Sequence, residues 1–159
     1  MKITKNDLYG YGISVAAAEL TGLLSQLLSG GMNTDFFASL TQPPLSPPGW
    51  VFPVVWTLLY ALMGIAAYRI YRTESPGRTG ALVLYAAQLL VNFLWPIVFF
   101  RFENLGGALA VLILLFVLVL LTTVRFMKLD RTAGLLLLPY LLWTVFALYL
   151  NIGLYFLNK

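Results

Sequence analysis

The chain contains four long stretches without a single charged side chain. Each holds more than twenty residues, and they lie between Asp35 and Arg69, Arg78 and Arg101, Glu103 and Arg125, and Arg131 and Lys159. A helix needs about 20 apolar residues to cross the hydrocarbon core of a bilayer. Lipid offers the backbone no hydrogen-bond partner, so each stretch has to be helical. A fifth segment, Leu8 to Ser29, is as apolar and carries one charge, Glu19.

These segments predict an all-α membrane protein that forms one five-transmembrane-helix domain over residues 1–159. The expected spans cover about 8–29, 50–71, 80–100, 105–126 and 133–157, and leave one long loop at 30–49. Only 10% of the residues are charged, whereas soluble domains are near 25%. The N-terminus also resembles a secretory signal with a candidate cleavage site at Ala16 to Ala18, but the apolar pattern continues to Leu28 and favours an uncleaved first helix.

Basic residues are distributed unequally between the two sides of such a bundle. Five spans place eight of the ten Lys and Arg residues on one side, and only Arg101 and Lys159 on the other. Short loops rich in Lys and Arg stay in the cytoplasm. We therefore expect a cytoplasmic N-terminus and the 30–49 loop on the opposite face. The basic residues serve topology in this interpretation, and no nucleic-acid partner is expected.

Three spans each carry a stripe of polar and aromatic side chains at helical spacing. The stripes are Trp56 and Tyr60; Gln88, Asn92, Trp95 and Phe99; and Tyr140, Trp143, Ala147 and Asn151. Polar groups in lipid point into the bundle, where they hydrogen-bond across helices or line a cavity. Three converging stripes favour the cavity, because ligand pockets are mostly apolar with a few polar groups that fix orientation. We expect a flat, hydrophobic ligand.

Glu19 is the ionisable residue that lies deepest in a span. It shares a helix face with Gly12 and Gln26, each seven residues away. Such residues face a bundle interior or a wet cavity. Two interpretations stay open: Glu19 ties the first helix to a neighbour as a neutral or hydrogen-bonded group, which we favour, or it contributes to a ligand cavity or proton path.

Several chemistries find no support in the sequence. The chain has neither His nor Cys, which are the usual ligands of zinc and of haem iron. It contains no P-loop and no Ser-His-Asp set. We therefore expect no metal site, no required cofactor, no catalytic residues and no dedicated catalysis.

Three motifs in the spans resemble those of one membrane protein family. The chain reads PPGWVFPVVWTLLY at 47–60, QLLVNFLW at 88–95 and PYLLWTVFALYLN at 139–151. Their order, spacing and five-span setting are similar to those of the translocator protein / tryptophan-rich sensory protein family (TspO/MBR). The resemblance covers essentially the whole chain.

The resemblance implies a five-helix bundle, often a homodimer, that binds porphyrins (tetrapyrroles) and other hydrophobic ligands beneath the first loop. It suggests a bacterial cell membrane, and a receptor or sensor with a role in tetrapyrrole handling or stress regulation. Carried over by position, the residues that line or border the pocket are Trp56, Asn92, Trp95, Tyr140, Trp143 and Ala147. The stripes add Tyr60, Gln88, Phe99 and Asn151 as expected ligand-binding residues, and Glu19 is a pocket or interhelix polar group. Two alternatives remain: a carrier of a tetrapyrrole or lipid-like ligand, and a porphyrin-degrading, photo-oxidative enzyme.

The first loop departs from the family pattern. Phe36 and Phe37 stand where the family often has Trp-Tyr, and Gln42 and Leu45 stand where it has the Lys and Trp of Lys-Pro-x-Trp. These differences remove a tryptophan and a cation from the lid. A different ligand preference is therefore expected.

Overall fold

Five long helices and one short helix make up the structure. A computed structural model describes residues 4–31 and 34–159. The helices are α1 (Lys5–Leu28), α2 (Thr34–Ser39), α3 (Val51–Tyr71), α4 (Arg78–Pro96), α5 (Leu105–Leu129) and α6 (Arg131–Leu157), with a π-helical turn at Ile97–Arg101 that continues α4. All except α2 are long and apolar enough to span a membrane, and the described residues contain no strand. The predicted all-α, five-helix membrane fold is confirmed.

The long helices form a ring in which chain order and spatial order differ. α1 packs between α3 and α4, α6 packs between α3 and α5, and α5 packs between α6 and α4. The helix ends are fixed by local capping. Thr4 and Asp7 form a reciprocal capping box at the start of α1, while Asp130 ends α5 and accepts the Ala133 N–H at the start of α6.

We call the two ends of the bundle the basic end and the lid end. The basic end carries Lys5, Arg72, Arg78, Lys128 and Arg131. The lid end carries the lid, residues 34–50, which includes α2 and connects α1 to α3.

Helix backbones come closest in the part of the bundle toward the basic end. A Cβ on Gly64 would lie 2.5 Å from Val15 Cα, and one on Gly134 would lie 2.6 Å from Met127 Cα. Ser14 Oγ also donates to the Gly64 carbonyl at 2.7 Å. Only glycine permits these approaches, so α1 is held tightly on α3, and α6 on α5.

Proline disturbs α4 at the lid end. Because Pro96 has no N–H and its ring interferes with the preceding turn, the regular helix cannot continue past it. The Ile97 N–H pairs with the Leu94 carbonyl, and a π-helical turn follows. The Phe93 carbonyl, which Ile97 would reach in a regular α-helix, accepts a hydrogen bond from Ser25 Oγ of α1 at 2.6 Å. This hydrogen bond joins α4 to α1 at the break.

Candidate functional site: an aromatic cavity beneath the lid

A cavity of about 630 Å³ occupies the lid half of the bundle. The second half of α1, the first halves of α3 and α5, the end of α4 and the second half of α6 surround it, and the lid covers one side. This volume lies within the range of about 300–1,000 Å³ that is usual for small-molecule sites.

Indole rings from three helices form much of the wall. Trp56 of α3, Trp95 of α4 and Trp143 of α6 all line the cavity. Trp95 stacks on Phe99 with ring centroids 5.1 Å apart, and Phe52 meets Trp143 edge to face at 6.1 Å. Aromatic neighbours restrict how each ring can turn. The cavity therefore offers flat, rigid apolar surfaces to a ligand.

A buried chain of hydrogen bonds forms the floor. Tyr60 donates to Asn92 Oδ1 at 2.6 Å, the Asn92 amide donates to the Tyr140 hydroxyl at 2.7 Å, and Tyr140 donates to Gln88 Oε1 at 2.8 Å. The Gln88 amide then approaches the Met63 sulfur at 3.7 Å. The chain joins α3, α4 and α6, and each of its side chains is buried. These polar groups satisfy one another at a depth where water is scarce.

The lid is attached chiefly to α6. The Thr41 N–H donates to Asn158 Oδ1 at 2.7 Å, and the Asn158 amide donates to the Thr41 carbonyl at 3.0 Å. The Tyr149 hydroxyl donates to the Pro44 carbonyl at 2.7 Å. Pro43 is buried against Gly153, where an added Cβ would lie 2.5 Å from Pro43 Cβ. Position 153 must therefore be glycine for the lid to lie where it does.

The altered lid residues have different locations. Phe37 lines the cavity and packs against Phe52 and Phe99. Gln42 also lines it, and its amide donates to the Phe37 carbonyl at 3.0 Å. Leu45 is 80% exposed and does not line the cavity. The lid thus presents a neutral amide, that of Gln42, to the cavity.

Most of the side chains that the sequence singled out meet at this cavity. Those that line it are Glu19, Trp56, Tyr60, Asn92, Trp95, Phe99, Trp143, Ala147 and Asn151. Gln88 and Tyr140 do not; they lie behind Asn92 in the buried chain. Tyr140 is hydrogen-bonded to both Asn92 and Gln88 in this position, and the assignment of Gln88 and Tyr140 as ligand contacts stays a prediction. Glu19 lines the wall, and among the described residues no hydrogen bond or ion pair ties it to another helix.

Sequence reasoning missed much of the α1 wall and of the lid. Besides Glu19 and Gln26, which the sequence placed on one face, α1 contributes small and polar residues, namely Ala16, Gly22, Ser25 and Ser29. Together with Glu19, these residues recur every three or four positions, which places them on one helix face, so the sequence could have predicted them. Phe100 also lines the cavity; it lies in the π-helical turn next to Phe99 and was not predicted.

The chain is similar in sequence to several known proteins. The TspO/MBR family profile matches residues 14–157. The tryptophan-rich sensory protein of Cereibacter sphaeroides is 44% identical over 117 residues, which are 74% of this chain and 73% of the relative. Protein CrtK of Rhodobacter capsulatus is 37% identical over 93% of this chain and 90% of its own length, and the translocator protein of Bos taurus is 36% identical over 83% and 80%. An aromatic cavity in a five-helix membrane bundle and a match over nearly the whole chain lead to one conclusion: this integral membrane protein belongs to the TspO/MBR family.

Proposed function

We propose that the protein is a membrane receptor or sensor that binds porphyrins and other flat hydrophobic ligands in the cavity beneath the lid, and that it serves tetrapyrrole handling or stress regulation. The observation that carries the proposal is the convergence of Trp56, Trp95 and Trp143 on one cavity of about 630 Å³. Three indoles on three different helices offer a macrocycle several faces on which to stack.

The shape of the cavity supports a ligand that arrives from the membrane. Leu20 and Leu23 of α1 border the cavity and are themselves about half exposed. Both side chains therefore lie between the cavity and the lipid that surrounds a spanning helix. A hydrophobic ligand dissolved in the bilayer would reach the indoles without crossing water.

Titration with protoporphyrin IX, followed by tryptophan quenching in detergent, tests the proposal. We expect Trp56→Ala and Trp143→Ala each to weaken binding by roughly tenfold or more, since stacking and apolar burial are both lost. Trp50 is the matched control: it is 70% exposed and does not line the cavity, so Trp50→Ala should leave affinity unchanged. Phe116→Ala on α5, also away from the wall, should change little.

The opposite pattern would locate the ligand elsewhere. If both cavity variants bind porphyrin like the parent while Phe116→Ala does not, the cavity is not the binding site. If the tryptophan fluorescence of the parent is not quenched at any protoporphyrin IX concentration below saturation of the detergent, binding of protoporphyrin IX is excluded.

Orientation and assembly are part of the same proposal. We place the N-terminus in the cytoplasm of a bacterial cell and the lid outside, on the strength of the unequal basic residues. The chain has no cysteine, so a Ser39→Cys variant carries a single thiol on the exposed lid. Labelling with a membrane-impermeant maleimide from outside supports this orientation, and labelling only from the cytoplasmic side refutes it.

Cross-linking single-cysteine variants tests the expected homodimer.

A further inference from the structure

Glu19 lines the cavity, where a bound ligand can meet its carboxyl group. It is half-buried near the middle of α1 and lines the cavity. Gly22, one turn further along, packs so closely on Tyr60 that an added Cβ would overlap the Tyr60 ring. The α1 face that carries Glu19 is therefore pressed against the floor of the cavity.

The neighbouring polar groups leave Glu19 without a donor. Tyr60 lies within electrostatic range of the Glu19 carboxyl, but its only O–H is committed to Asn92 at 2.6 Å. The Asn92 amide in turn donates to the Tyr140 hydroxyl. The hydrogen-bonded floor is complete without Glu19, so a purely structural role as a tie between helices has no partner among the described residues.

The cavity wall also lacks a positive charge. No Lys or Arg is among the described residues that line it, and Glu19 is the only carboxyl there. At the basic end, Arg69 and Arg72 pair with Asp130 and Asp7 at 2.8 and 3.0 Å. At the lid end, Arg101 donates to the Leu28 carbonyl at 2.9 Å. These three cations are therefore engaged outside the cavity.

A carboxylate in apolar surroundings is costly unless a cation or several donors compensate it. Within membranes, such residues frequently serve as counter-ions of ligands. A ligand that brings a protonated amine would supply the missing charge, and one that brings carboxylates would meet repulsion with no lysine to offset it. Gln42 in the lid is neutral, so it does not offset the repulsion between Glu19 and a ligand carboxylate.

We propose that Glu19 selects the ligand of this cavity by charge, favouring flat aromatic molecules that carry a protonated amine over carboxylates of the same shape. The inference rests on the proposed function, because it uses the same cavity. It adds a specificity-determining residue that acts directly on the ligand.

The test compares three forms of one macrocycle: protoporphyrin IX with two carboxylates, its neutral dimethyl ester, and its diamide with two aminoethyl groups. Affinities come from tryptophan quenching of the parent, Glu19→Gln and Glu74→Gln. Glutamine keeps the size of the side chain, and Glu74 is an exposed residue outside the cavity whose replacement changes the net charge equally. Thermal unfolding in detergent checks that each variant is folded.

In the parent we expect the diamine to bind tightest and the dicarboxylate weakest. Glu19→Gln should weaken the diamine by about tenfold, as expected for loss of a hydrogen bond to a charged group. It should leave the ester unchanged and improve the dicarboxylate, while Glu74→Gln should reproduce the parent. If Glu19→Gln shifts all three ligands equally, or none, charge selection is refuted while porphyrin binding stands. If the parent binds none of the three, charge selection and the proposed function fall together.

Discussion

Toward the basic end the helices touch backbone to backbone, whereas in the lid half aromatic side chains hold them apart. In the first region, Gly64 and Gly134 allow close approach, and Met63, Ile70 and Phe126 have no exposed surface. In the second region, indole rings surround a cavity of about 630 Å³. One ring of five helices thus contains a close-packed half and an open half.

The difference shows how the chain separates stability from ligand access. Membrane helices associate through close packing and interhelical hydrogen bonds, since lipid is as apolar as leucine. The close-packed half provides most of that packing. The buried chain from Tyr60 to Gln88 lies between the halves and fixes α3, α4 and α6 relative to one another. The open half is then free to keep a cavity.

The largest expected effect comes from breaking the close-packed half at Gly64. We expect Gly64→Leu to destabilise the bundle by about 3 kcal/mol or more, because the new side chain meets the α1 backbone rather than a movable side chain. Thermal unfolding in detergent measures the loss. Gly12→Leu is the matched control, since nothing lies within 4 Å of a Cβ added there. Equal stability of the two variants would contradict the contrast between the halves.

The boundary between the halves is tested next, at Asn92. We expect Asn92→Ala to cost about 1–3 kcal/mol of unfolding free energy, because it removes the acceptor of Tyr60 and the donor to Tyr140 deep in the bundle. Denaturation of the purified variant gives the value. Asn151→Ala serves for comparison: Asn151 also lines the cavity, but its amide hydrogen bonds to the Ala147 carbonyl of its own helix at 3.1 Å. A loss at Asn151 as large as that at Asn92 would show that the buried chain has no special role.

A smaller effect is expected from releasing the lid. Asn158→Ala removes both hydrogen bonds to the Thr41 peptide group, which are exposed and worth about 1 kcal/mol in all. Hydrogen exchange of the Thr41 amide should quicken by about fivefold, while the midpoint of thermal unfolding stays near that of the parent. Lys159→Ala, next along the chain, should leave exchange at Thr41 as it was. Unchanged exchange in Asn158→Ala would mean that Pro43 and Tyr149 hold the lid alone.

The smallest effect concerns the ion pair between Arg69 and Asp130. Partial burial raises the pKa of Asp130, but the Ala133 N–H and the Arg69 guanidinium outweigh it and hold that pKa below its ordinary value of 3.8. A lowered pKa in the folded state stabilises the protein at neutral pH, and the contribution fades as the pH falls below about 4.

Asp130→Asn keeps an acceptor for the Ala133 N–H and removes the charge. We expect it to cost less than about 1 kcal/mol at pH 7, since both side chains are partly exposed. The difference from the parent should shrink in unfolding measurements below pH 4. A difference that grows on acidification would show that the pKa shift has the opposite sign.

The sequence predicted the five spans well, because the thickness of the bilayer sets the length of an uncharged helix. The 50–71 segment, for example, corresponds to α3 at Val51–Tyr71. The short α2 was not predictable: it has six residues, and Phe36 and Phe37 hold it by packing on Phe99, which is more than sixty residues away in the chain.

The sequence predicted which helix faces point into the bundle, but not which residues of each face reach the cavity. Helical spacing placed Asn92 and Gln88 on one face of α4, yet it could not show that Gln88 lies one turn behind the cavity in contact with Tyr140. Helical spacing likewise placed Glu19 on the inward face of α1. It could not decide whether Glu19 binds a neighbouring helix or lines the cavity wall. Those distinctions depend on which helices are neighbours in the ring, and chain order does not give that.

The π-helical turn at Ile97–Arg101 has a consequence for how this protein can change in length. A wide turn of this kind is equivalent to an α-helix with one inserted residue. Deleting a single residue there would shorten the wide turn and leave Asn92 and Trp95 in place, whereas a deletion before them in α4 would change the helix face on which they lie relative to the start of α4. The lid end of α4 is therefore a place where the helix can lose one residue without turning Asn92 or Trp95 out of the cavity wall.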